Sequence, residues 1–324
     1  MSARLLRIEL TRLRWRRAVL LLLLLAVAIP AFIGAAQAWS TRPVSESEIA
    51  QVVQDQSREI DHCVAHPRRY LGDRHGTEQQ CTDLIVGWYT GRSQLSLAEQ
   101  RDGGAGMAVV AVLTALLLLA GTTFVGHDWN SGSMSNQLLF EPRRLRVWGA
   151  KALAVTAVAL VTAAVVSTAY WLAMWATMHA RDLPIRDGGL TDSLAYGLRG
   201  AAFAAAAALG GYALTILLRS TVATVGVLFA VSVAGGVIVA VLGLSEHWQP
   251  QKNVAAIVKD GTTYWVEPPP SCFAENQTGP PPQPGSECSG ERVLSLWDGA
   301  AYYGAALVVT SGASLVSFRR RDVP

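Results

Sequence analysis

The sequence predicts an all-α polytopic membrane protein with six transmembrane helices, cytoplasmic N- and C-termini, and two disulfide-bearing extracytoplasmic loops. Three observations predict it. Hydrophobic residues make up 51% of the 324 residues and charged residues only 16%, well under the roughly 25% of soluble chains. The apolar residues gather into runs free of Asp, Glu, Lys and Arg, at 18–41, 103–127, 152–180, 200–218, 220–245 and 299–318. A helix needs about 20 such residues to cross a roughly 30 Å hydrocarbon core, whereas buried helices of soluble proteins are shorter and amphipathic. Finally, the segments between the runs alternate in charge.

That alternation sets the orientation. The first seventeen residues carry Arg4, Arg7, Arg12, Arg14, Arg16 and Arg17 against Glu9. With this end in the cytoplasm, the inside segments are 1–17, 128–151, a tight turn at Arg219 and the tail from Arg319. They hold 14 of the 27 basic residues but only Glu9, Asp128, Glu141 and Asp322 of the 24 acidic ones. The inside is then net +10 and the outside net −7, as the excess of Lys and Arg on cytoplasmic loops requires. The overall +3 therefore averages two opposite surfaces and is no nucleic-acid signal. Trp39, Trp171, Trp175, Trp248 and Trp297 are expected near outer ends, and Trp15 and Trp148 near inner ends, as interfacial belts.

In chain order, the reading gives a basic in-plane helix at 1–17 and a first span at 18–38. Ala36 and Ala38 would also suit a signal-peptide cleavage site, but the apolar run is long for one. An outer loop follows at 39–104. In it Ser45 is an N-cap candidate with Glu48 in the capping-box position. The second span is 105–126, a cytoplasmic segment is 127–151, and the third span is 152–178. A short outer loop at 179–199 leads to spans at 200–218 and 220–244. The second long outer loop, 245–298, contains two β-prone runs flanking Asp260-Gly261, a hairpin signal, and then a proline-rich stretch. Asn276 begins a short glycosylation match. The last span is 299–318 and the tail is 319–324.

The four cysteines lie two in each long loop, Cys63 with Cys81 and Cys272 with Cys288. An oxidising compartment favours disulfides. Three pairings are open, and one bridge per loop is the simplest. His62, His66 and His75 crowd around the first pair, but no standard zinc spacing appears, so no metal is expected.

Chemistry is sparse elsewhere. The charge-free runs argue against a proton- or sodium-driven carrier, which usually keeps ionisable groups in the membrane. There is no G-x-S-x-G, H-E-x-x-H or dinucleotide fingerprint. None of the three lysines, Lys151, Lys252 and Lys259, follows a glycine, so there is no P-loop for ATP. No cofactor, no catalytic residue and no nucleic-acid partner are expected for this chain. Small residues at 200–214 and 233–240 would let helices approach closely.

The segment "GHDWNSGSMSNQLLFEPRRLRVWGAK" is the informative one. Met134, Leu138, Leu139 and Phe140 fall on roughly one helical side, with Ser133 a candidate N-cap. Pro142 stops that helix, and Arg143, Arg144, Arg146 and Lys151 anchor the chain in the cytoplasm. An acidic residue, then Gly and Ser/Thr, a short helix, Pro-x-Arg, and a Lys opening the third span together resemble permeases of the second type of ABC exporter. Here these are Asp128, Gly132, Ser133, Leu138, Leu139, Pro142, Arg144 and Lys151, with Glu141 and Arg143 beside them. The opening "IELTRLRWRRAVLLL", with Leu6, Leu10 and Leu13 on one face, is similar to that family too, as is the six-span plan. The resemblance covers the membrane chassis and not the two outer loops. It departs where the family often has Glu for Asp128 and Thr for Ser133, and in having a long loop after the first span.

The resemblance implies a membrane-spanning subunit coupled through 128–142 to a separate ABC ATPase, which would carry the ATP and magnesium. It also implies a second permease copy or paralogue, a plasma-membrane location, and export. Two rivals compete with it. One is a sensor or signalling protein binding an external ligand with its outer loops. The other is a membrane enzyme, which suffers from the lack of an intramembrane or juxtamembrane charged cluster with plausible catalytic spacing.

Overall fold

The computed structural model describes residues 3–71, 76–92, 94–242, 246–268, 272 and 287–321. Five helices in it are long and apolar enough to cross a membrane. They are α2 (Arg17–Ser40), α8 (Ala105–Asn130), α10 (Arg144–Ala180), α11 (Gly189–Leu218) and α14 (Leu296–Arg320). The expected fifth span forms another apolar helix, α12 (Thr221–Val241). Arg219 makes the expected tight turn before it, in the left-handed region at φ 57°. Pro30 lies inside α2 and is buried; neighbouring helices let a span tolerate such a residue.

The centre is a three-helix core of α8, α10 and α11, with α2 packed on α8 and α10 and α14 packed on α11. Phe124, Leu113, Leu117, Trp171, Tyr196, Tyr212 and Ile216 fill it. In lipid no hydrophobic force draws helices together, so close packing has to do it. Here glycine supplies the closeness. A Cβ on Gly121 would stand 2.5 Å from the Ala208 carbonyl oxygen, and one on Gly211 would stand 2.9 Å from that of Leu118. Side chains at these two positions would push α8 and α11 apart. Away from the core, Leu24, Phe32, Val165, Phe229, Val308 and Val309 are exposed, an apolar girdle suited to lipid.

The two long loops lie at one end of this bundle. The first is helical throughout its regular parts: α3 (Glu46–Asp55), α4 (Ser57–Ala65), α5 (Pro67–Leu71), α6 (Glu78–Thr90) and α7 (Leu97–Asp102). Ser45 and Glu48 form the expected capping box, and Thr77 with Gln80 forms a second one on α6. The Cys63–Cys81 bridge joins α4 to α6, and Cys272–Cys288 closes the second loop, so one bridge per loop holds. Ile60, Ile85 and Val86 are buried with the first bridge. Because Cys63 and Cys81 are joined, neither is a metal ligand. Among the described residues no group of three or more His, Cys, Asp or Glu is placed to hold a metal. His75 and the Asn276 sequon lie outside the described residues.

The expected hairpin at Asp260-Gly261 is a correction. Residues before it form α13 (Pro250–Lys259), with Asn253 and Ala256 buried one turn apart, Val258 buried near its end, and the helix packed on α14 and α11. Pro250 starts that helix. Asp260, at φ 69°, ends it in a left-handed cap, and the Gly261 N–H donates to Ala256 O at 2.8 Å. The dipeptide that favours a two-residue hairpin also suits a helix stop, and packing of α13 decides. Strand β1 (Thr262–Trp265) then pairs antiparallel with distant β2 (Glu291–Leu294), Thr262 opposite Leu294. A second correction concerns Trp171. It is not an interfacial belt residue but sits in the core, edge-on to Tyr170 and Tyr196. Trp15, Trp39 and Trp297 remain exposed.

Candidate functional site

The opposite end of the bundle gathers four segments: α1 (Ala3–Arg14), the last turn of α8, the short α9 (Ser133–Phe140) and the start of α10. Local geometry brings them together. Arg16 is the extended residue between α1 and α2, which folds α1 back beside α10. Gly132, at φ 67°, makes the left-handed turn from α8 into α9. Few residues but glycine accept that conformation cheaply. The chain leaves α9 through extended Glu141, and α10 begins at Arg144 after Pro142.

Between these segments lies a closed network of charges. Lys151, about two turns into α10, donates to Glu9 Oε2 of α1 at 2.8 Å and to Asp128 Oδ2 of α8 at 2.6 Å. All three side chains are 0% exposed. Arg16 pairs with the other Asp128 oxygen, which also accepts from the Ser133 hydroxyl at 2.6 Å. Gln137 of α9 donates to Glu9 Oε1 and accepts from Arg12 at 2.9 Å. Phe124 underlies the cations, its ring centre 5.2 Å from the Arg16 guanidinium carbon and 5.3 Å from Lys151 Nζ. Two buried carboxylates thus face Lys151 and Arg16, and the formal charges cancel, with Arg12 at the rim.

A buried charge survives only when paired and hydrogen-bonded. Hydrogen bonds to charged groups are worth about 1.5–3 kcal/mol each, and removing one partner of a buried pair costs about 3–5 kcal/mol. This network is therefore costly to open piecemeal.

The structure distributes the sequence-derived site residues unevenly. Asp128, Ser133 and Lys151 belong to the network, and Gly132 makes its turn. Ser133 is the first residue of α9 and not its N-cap; its hydroxyl serves Asp128. The apolar side of α9 is split. Met134 is buried and Leu138 packs on the core, while Leu139 is 80% and Phe140 91% exposed. Pro142 and Arg143 are exposed beside them. Arg144 turns away and donates to the carbonyls of Phe318, at 3.1 Å, and Arg321, at 2.6 Å. That closes the last turn of α14, where carbonyls lack helical partners. Trp148 joins the same seam, donating to Ser314 at 3.1 Å and accepting from Tyr212 through its carbonyl at 2.7 Å.

Glu9, Arg12, Arg16 and Gln137 were not among the sequence-derived site residues. The sequence expects no charged cluster of catalytic spacing here; the structure does gather charges at this edge, held in ion pairs with one another. The charge-free runs are real, but α8 and α10 extend past them and carry Asp128 and Lys151 inside. Two signals were available. Glu9 is the one acidic residue in a basic opening, and Ser133 and Gln137 stand one turn apart on α9.

The loop end uses different chemistry. Arg92 and Glu48 pair at 2.8 Å, and that contact, with the Ser45 backbone N–H, holds the Glu48 carboxyl down to about 2. Tyr70 donates to Glu59 at 2.8 Å, which raises the phenol. Arg181 donates to the carbonyls of Ala38 and Thr41 at 2.6 and 2.9 Å, closing the end of α2.

Compared with protein-family models, with curated proteins and with solved structures, the chain gives no match.

Proposed function

We propose that this chain is the membrane-spanning permease subunit of an ATP-driven ABC transporter, acting as an exporter, with α9 as the helix that a separate ATPase subunit grips. In this reading α12 completes six spans, both termini are cytoplasmic, and the subunit works beside a second permease. ATP and magnesium belong to the partner ATPase.

The single observation that carries the reading is the two-sided character of α9. One side, through Ser133, Met134 and Gln137, is locked into the bundle. The tip, Leu139 and Phe140, projects almost wholly exposed beside Arg143 and Arg146. An apolar tip held out from a segment whose inner side is fixed by buried charges suits a soluble partner with an apolar socket. A force applied there passes into α8 and α10, which pack on α11, and shifts the bundle between discrete packings.

The test is purification of the tagged chain in mild detergent from the membranes that naturally produce it. A stoichiometric subunit with a P-loop, and ATP hydrolysis in the eluate, are expected. Leu139→Ser with Phe140→Ser should lose the partner while the variant still inserts in the membrane. Retention of the same partner by that variant would remove α9 from the role. Absence of any ATPase from the wild-type eluate would reject the reading.

A further inference from the structure

The docking of a partner on α9 raises the question of which parts of the chain move with it. We infer that α1 belongs to the moving lever: Ser133 and Gln137 are positioning residues that bind α9 to two buried carboxylates on two other helices, so α9, α1 and the adjoining ends of α8 and α10 travel as one body. This rests on reading α9 as the docking helix.

Ser133 and Gln137 are four residues apart and share a side of α9. One donates to Asp128 of α8 at 2.6 Å, the other to Glu9 of α1. Lys151 ties those carboxylates to each other at 2.6 and 2.8 Å. Arg12 returns from α1 to Gln137 at 2.9 Å. If α9 swung alone, each carboxylate would lose a donor in a place where Glu9, Asp128 and Lys151 are 0% exposed and no solvent can replace it. If α1 were only a surface anchor, its acidic residue would face the headgroups with its arginines. Instead Glu9 is turned inward with Leu13, while Ile8 and Leu10 on the same helix stay exposed. The cheapest path for α9 carries α1 along.

Spin labels at Arg4→Cys, Asn136→Cys and, as a reference, the exposed Val308→Cys in the middle of α14, introduced in pairs into the full chain with its co-purified ATPase in lipid nanodiscs, measure this. Between the nucleotide-free state and ATP with vanadate, the 4–136 distance should stay constant while the 136–308 distance shifts. A changed 4–136 distance with the ATPase still bound would overturn the inference and leave the docking reading intact. A second arm needs no ATPase. In Ser133→Ala with Gln137→Leu, amide exchange across 3–14 should rise about tenfold, the effect of losing a hydrogen bond to a charge, with helices 46–55 and 78–90 unchanged. Ser133→Thr, which keeps the hydroxyl, should exchange like wild type. Unchanged exchange across 3–14 in the double variant would also overturn the inference. If no ATPase co-purifies, the docking reading fails, and the exchange arm still decides whether α9 holds α1.

Discussion

The two ends of this molecule solve the same problem, holding helices in register, with opposite materials. At the end that carries α9, three side chains of full charge are removed from solvent and satisfied by one another. At the loop end the ion pairs lie open to water. Arg92–Glu48, Arg101–Asp192, Arg199–Asp260 and Lys252–Glu246 span 2.8–3.2 Å, but their acidic side chains are 39–61% exposed. Exposed pairs contribute about 0–1 kcal/mol. Strength there comes from two disulfides and from helix caps. A buried network is rigid and orientation-specific, and it suits a site that transmits force. Covalent staples tolerate a wet, proline-rich environment and suit loops that must keep their shape without a large core.

That contrast orders the experiments. The largest effect belongs to Lys151. Lys151→Met leaves Glu9 and Asp128 facing each other without solvent, and should cost about 3–5 kcal/mol, seen as a large drop in unfolding temperature in nanodiscs. Adding Glu9→Gln alone should recover most of it, since Asp128 still pairs with Arg16 and the buried charges again cancel. A Lys151→Met protein as stable as wild type would break the comparison at its stronger end. Next comes Cys63→Ser with Cys81→Ser. It releases the loop between residues 63 and 81 and should cost about 3 kcal/mol, read as proteolysis or amide exchange confined to 46–90. Spread of that loosening to α9 would show that the two ends are not independent.

The smallest effect concerns Glu48. Its carboxyl, held down to about 2 chiefly by Arg92, is bound more tightly as the anion in the folded loop than in the unfolded chain, where carboxylates titrate near 4.3. Its stabilising contribution is therefore complete above that value and is lost as the pH falls toward 2. Glu48→Gln should flatten the acid side of the pH dependence of loop exchange, by a small amount because the pair is exposed. An unchanged profile would mean that the Arg92 contact contributes nothing in water.

The sequence carried the chassis well, for a physical reason. A charge-free run of about 20 residues has few homes other than a membrane, and the helices appear where the runs are. The capping box at Ser45, the turn at Arg219 and the one-bridge-per-loop pattern were legible because each depends on neighbours in the chain or on the simplest pairing. Asp260-Gly261 misled because a local turn signal cannot say whether the residues before it will find a helix-packing surface, and α13 found one on α14. Trp171 misled because an amphipathic ring near a span end suits both an interface and a core. The charge network was half legible. Asp128, Ser133 and Lys151 stood out through the resemblance of their segment to a family pattern, but Glu9 and Gln137 join them only when α1 folds back against α10, a contact between residues 142 positions apart in its longest pair.

The central claim is that a soluble ATPase subunit seats on the tip of α9. A photo-crosslinking amino acid placed at Phe140, in cells that make the natural partners, tests it most directly. Irradiation should join this chain to a P-loop ATPase, and the same group placed at exposed Trp88 in the first outer loop should not. No ATPase adduct from position 140, with the protein correctly inserted, would contradict the claim.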